Sequence, residues 1–169
     1  MITDCAHSVQ FVYKKILQLM ENSKKIEILN DLLAKNYDAE KGYKEAAENV
    51  DDVNLKTMFQ DYARQRYDFG HEIKAAIKGM GGEVDKGDTI AAKAHRAWMD
   101  LRSFFAGNDE AAVLNEAKRG EENALSNYDE ALEELSGYSS VYSTVQRQRN
   151  QIQQAISQIE QRLRYYKTV

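Results

Sequence analysis

Along most of the chain, apolar residues return every three or four positions, the spacing that gathers them on one side of an α-helix. The first clear run is Leu29, Leu32, Leu33, Ala39, Tyr43, Ala47 and Val50, with Ser23 ahead of it as an N-cap. Asp51 and Asp52 cap a second run, Leu55, Phe59, Tyr62, Phe69, Ile73 and Ile77, which stops at Gly79 and the Gly81-Gly82 pair. A third run after Asp88 carries Ile90, Ala94, Trp98, Leu101 and Phe105 and ends at Gly107. Asn108 caps a fourth, through Val113, Leu114, Ala117, Ala124, Tyr128, Leu132 and Leu135. The fifth, capped by Ser139 or Ser140, shows Val141, Val145, Ile152, Ile156, Ile159 and Leu163 at near-heptad spacing. The pattern predicts an all-α chain: residues 1–23 as a short N-terminal extension, 24–137 as an antiparallel four-helix bundle, and 138–169 as an additional amphipathic C-terminal helix on the bundle or on another subunit.

Composition supports long helices. The 169 residues contain no proline, against an ordinary usage of ~5%, and one hydrophobic core suffices for a chain of this length. Met80 to Thr89 joins the second and third runs with ten residues. Fully stretched, they reach about 33 to 36 Å, enough either for simple up-down topology or for a crossover. The net charge of −4 argues against a general nucleic-acid binder. It is uneven: residues 138–169 are net +4 and the rest −8, which suits a last helix seated on an acidic body or on an acidic partner. A single Cys5 forms no internal disulfide, no apolar run approaches the ~20 residues of a membrane span, and Lys14 and Lys15 follow the early apolar residues without a cleavage site. These features predict a cytoplasmic address.

Candidate chemistry lies where a polar residue interrupts an apolar stripe at a position aimed inward. Asn36 and Glu40 fall between Leu33 and Tyr43, Arg66 between Tyr62 and Phe69, His95 beside Trp98, and Glu121 between Ala117 and Ala124. One such group per helix, midway along, is how bundle cores build metal sites. A di-iron carboxylate site takes a Glu from each of two helices and Glu-x-x-His from each of the other two. This chain has no Glu-x-x-His; its near miss, Asp68-x-x-His71, shares a face with Asp61, Arg64, Gln65 and Glu72 and so points to solvent.

The runs NDLLAKNYDAEKGYKEAAENV, FQDYARQR, GMGGEV, AHRAWMDL and EAKRGEENALSNYDEAL occur in this order. They resemble a bacterial family of uncharacterised four-helix-bundle proteins in the ferritin-like superfamily, over roughly Lys25 to Leu135. The resemblance implies a ferritin-like bundle with a crossover between its second and third helices, and no particular activity. It carries the ligand pattern over to Glu40 and Glu121, with His95 near a carboxylate position, while Arg66, Phe69 and Ala124 depart from it. A guanidinium between two carboxylates satisfies them without a metal, so Arg66 is expected to replace the ions, and no cofactor and no catalytic residue is assigned. The rival is an iron or manganese oxidase, ferroxidase-like, using Glu40, His95 and Glu121.

Several other features have structural readings. The glycines at 79, 81 and 82 follow no strand and lack the Lys-Ser/Thr ending of a phosphate loop. Gly42 and Gly120 lie inside helices, where they would permit close contact. Glutamines at 146, 148, 151, 153, 154, 158 and 161 surround the narrow seam of the last helix and read as its polar exterior. That seam is a candidate homo-oligomer interface. The expected role is structural or stress-related binding.

Overall fold

A computed structural model describes residues 2–85, 109–136 and 139–168. Four helices occupy them: α1 (Ile2–Glu48), α2 (Val53–Gly79), α3 (Glu110–Glu134) and α4 (Ser139–Thr168), with no strand among the described residues. The run expected from Ile90 to Phe105 lies outside the described residues.

α1 does not start at Ser23. It runs without a break for 47 residues, about 70 Å, because neither proline nor glycine interrupts the chain before Gly42. Ser23 is an exposed mid-helix residue. The α1–α2 joint is residues 49–52. Asp52 caps α2 through its side chain, which accepts from the backbone N–H groups of Asn54 (2.7 Å) and Leu55 (3.1 Å). α2 ends at Met80 in a Schellman motif: Gly82 N–H donates to Ile77 C=O (2.9 Å) and Gly81 N–H to Lys78 C=O (3.0 Å). Gly81 has φ +74°, the left-handed conformation a glycine adopts without strain. A Cβ on Gly82 would lie 2.7 Å from Ile26, so the turn presses directly on α1. The cap of α3 is Asp109, one residue later than the sequence suggested.

Contacts fix the directions. Lys24 pairs with Glu134, Asn36 with Tyr128, and Asp52 N–H with Glu110, so α1 and α3 run antiparallel. Gln148 reaches Phe69 and Tyr62 reaches Gln158, so α2 and α4 are antiparallel as well. α2 and α3 therefore point the same way across the bundle. The chain leaves α2 beside Asn30, which accepts from Asp85 N–H, and enters α3 at the opposite end, beside Asp52. The connection from the second run to the fourth therefore passes from one end of the bundle to the other, and the joint between the second and third runs, where the resemblance implies the crossover, continues outside the described residues.

α4 is one wall of this bundle. Val141, Val145, Ile152, Ile156, Ile159 and Leu163 are all buried within the chain, so its apolar seam faces its own bundle. The core has two compartments. One gathers Leu29, Leu33, Phe69, Ile73, Ile77, Leu135 and Ile152; the other Tyr43, Leu55, Phe59, Leu114, Ile159 and Leu163. Between them lies a polar layer.

Candidate functional site

The layer is made where each apolar stripe is interrupted. Arg66 of α2 and Glu121 of α3 are 1% and 2% exposed and form an ion pair across the bundle. The second oxygen of Glu121 accepts the phenolic proton of Tyr43 from α1. Tyr43 in turn packs on Phe59 and Tyr62, with ring centroids 5.9 and 5.3 Å apart. Burial opposes the charge on Arg66, but the Glu121 carboxylate and the surrounding phenols outweigh it and raise its pKa. Burial, then the neighbouring Glu121 charge, pushes the Tyr43 phenol well above its ordinary range. Tyr43 thus stays a donor. The guanidinium also lies over the Phe69 ring, 5.2 Å from its centroid.

A second chain of bonds runs beside the first. Asn36 donates to Leu32 C=O and to the Tyr128 hydroxyl, both at 2.8 Å. Tyr128 donates to Gln148 Oε1 at 2.9 Å. Gln148 donates to Glu72 at 2.6 Å, and Arg147 completes the series on Glu72 at 2.9 Å. Each of the four helices contributes at least one member. Buried polar groups are tolerated when they are bonded this fully. Among the described residues, Arg66 Nε, Gln65 Oε1, Gln151 Oε1 and Asp38 Oδ1 are the buried side-chain atoms without such a partner.

The structure separates the candidate residues. Asn36, Arg66 and Glu121 are buried in the layer as placed by their spacing. Glu40 is half-buried, and its ion pair is with Lys44 one turn on, at 2.5 Å; Arg66 pairs with Glu121, not with two carboxylates. His95, Trp98 and the Cys5 side chain lie outside the described residues. Asp68 and His71 are exposed, and the His71 ring rests against Tyr67, centroids 4.4 Å apart. A Cβ on Gly120 would meet nothing within 4 Å, so close helix contact does not explain that glycine.

Sequence reasoning missed Gln148. It is 0% exposed, although it stood among glutamines taken for an outer surface. The signal was present: it falls between Val145 and Ile152 in the seam, the same interruption that singled out Arg66. Glu72 was likewise assigned to solvent but is half-buried and bonded from α4. Because α3 and α4 are the last two walls of the described bundle, the pair to compare with the last Glu-x-x-His is Gln148 and Gln151 rather than Glu121 and Ala124.

A di-iron centre does not fit this donor set. Among the described residues no three His, Cys, Asp or Glu side chains converge to hold a metal ion. Both oxygens of Glu121 are bonded, one of them to a fixed cation that would repel a second. Asn36, Tyr43, Tyr128 and Gln148 are neutral, and the half-buried carboxylate of Glu72 is bonded by Gln148 and Arg147.

Among solved structures, the chain is similar to one titled as ferritin-like, diiron-carboxylate proteins from Bacillus anthracis strain Ames. The match has a TM-score of 0.67 and 16% identity, and covers 85% of this chain and 97% of that one. At that identity the likeness shows the fold, which is ferritin-like. No curated protein matches the chain. No helix among the described residues is long and apolar enough to cross a membrane. A family model matches residues 24–134, from Lys24 of α1 to the end of α3. With the five motifs inside that span, the chain belongs to the family described as Domain of unknown function (DUF2383).

Proposed function

We propose that this protein is a ferritin-like bundle in which the layer that holds ions in di-iron relatives has become a structural polar layer, and that it serves a structural or binding role without redox chemistry. The observation that carries this is the Arg66–Glu121 pair with Tyr43, buried at mid-bundle. It supplies a positive charge where a ligand set would need to receive one. A bonded layer between two apolar compartments also opposes sliding of one helix along another, since any slip would strand buried donors and acceptors. Fixing helix register is the best-attested use of buried polar groups.

The test is metal analysis of protein purified without chelator. Iron, manganese and zinc far below one per chain are expected, with no gain on incubation with ferrous iron. Stoichiometric iron or manganese that disappears in Glu121→Gln would overturn the proposal in favour of an oxidase built on Glu40, His95 and Glu121.

A further inference from the structure

α1 extends well beyond the bundle. Residues 10–21 are all exposed, and the first half-buried position among the described side chains is Asn22. Phe11, Val12, Tyr13, Ile16, Leu17, Leu19 and Met20 are 44–70% exposed. At ~100° per residue, all but Phe11 fall within an arc of about 160°, with Lys14, Lys15, Gln18 and Glu21 on the other side. That arc is centred roughly opposite Leu29, Leu32, Leu33 and Asn36, the face that α1 turns to the bundle. Lengthening α2, α3 or α4 would not cover it.

The chain's own connection would have to run almost straight to lie along it. Between Asp85, beside Asn30, and Asp109, at the Asp52 end, there are 24 chain steps, which reach ~84 Å when fully stretched. Going out along α1 and back to the level of Asp52 takes about 75 Å by way of Ile16 and about 87 Å by way of Val12. A membrane surface fits poorly as well: interfacial helices carry a polar face rich in Lys and Arg, whereas this one has Lys14 and Lys15 with Glu21 and several amides.

Another copy of the same helix fits. The six exposed side chains on that arc present about 700 Å² per copy, above the ~300–600 Å² patch of an ordinary monomer and close to the ~800 Å² that each side of a standard interface buries. Val12, Ile16 and Leu19 follow the 4-3 spacing of a two-helix seam, with β-branched Ile16 at a and Leu19 at d. We propose that the outer end of α1 is a self-association surface on which a second copy of this chain docks, helix on helix, through Val12, Ile16 and Leu19.

Sedimentation equilibrium of the full chain tests this. The wild type should have twice the chain mass over a concentration range where the Ile16→Glu, Leu19→Glu double variant is a single chain, a weakening of at least about tenfold. The variant should melt as the wild type does when diluted to single chains, because neither residue touches the core. A monomeric wild type, or a double variant that still dimerises, would overturn the proposal. So would pelleting of a monomeric wild type with anionic phosphatidylserine vesicles. Lysine cross-linking of the wild type reads the surface independently of any variant: intermolecular links at Lys14 and Lys15 are expected, and intermolecular links confined to other lysines count against it.

Discussion

Arg66 and Glu121 are worth more to each other than either is to the fold. Removing one member of a buried ion pair leaves the other charge without compensation, at a typical loss of ~3–5 kcal/mol. Arg66→Ala should lower the unfolding free energy read from urea melts by that much, and Arg66→Met combined with Glu121→Gln should recover most of it, since the amide still accepts from Tyr43 and no charge remains buried. Equal melts for Arg66→Ala and the wild type would show that the pair contributes nothing. Asp38 is a contrasting residue, with burial raising its carboxyl from 3.8 to about 6 although Lys41 works the other way. A raised carboxyl means that the folded chain holds the proton more tightly than the unfolded chain does. Its contribution is therefore complete below about 3.8 and is lost as pH climbs through about 6. Asp38→Asn should leave stability at low pH unchanged and raise it at pH 7 by roughly 1–2 kcal/mol after allowance for solvent screening, read from melts across that window.

At the scale of the helices, the sequence was most legible where apolar period and cap agree, as in α2 between Asp52 and Gly81. It misled where one signal stood alone. Ser23 is a good cap residue, but a serine facing solvent is also tolerated inside a long helix that lacks breakers, and α1 passes through it. Asp52 has a further role that periodicity does not disclose. Besides capping α2 it accepts from the Tyr166 hydroxyl of α4 at 2.9 Å, while its backbone N–H donates to Glu110 of α3 at 2.9 Å. Bonds from Leu55 and Tyr166 hold its carboxyl below the ordinary range. Three helix ends meet on one residue. Asp52→Ala should therefore exceed the ~1 kcal/mol of an ordinary cap and fall nearer ~2 kcal/mol, whereas Asp52→Asn should keep most of the cap. Denaturant melts of Asp52→Ala and Tyr166→Phe, singly and together, would separate the cap from the Tyr166 bond, and full additivity would mean that the two are independent.

For the whole molecule, the sequence made the bundle and three of its inward polar residues legible, because both depend on local spacing. Which helices share the core depends on long-range pairing, and the near-heptad seam of α4 was equally compatible with its own bundle and with another subunit. Its glutamine-rich surroundings concealed Gln148 for a related reason: an amide gives the same pattern outside a helix as inside it. In the structure α4 supplies buried apolar residues to both compartments, and Gln148 links Tyr128 of α3 to Glu72 and Phe69 of α2. Deleting residues 138–169 would bare one side of each compartment and leave Tyr128 without its acceptor. A truncated chain should therefore lose the sharp cooperative melt of the full protein, bind an apolar dye such as ANS, and retain helix without fixed packing. If 1–137 instead melts sharply as a soluble monomer, α4 is dispensable to the core, and its buried isoleucines stabilise the fold far less than their exposure implies.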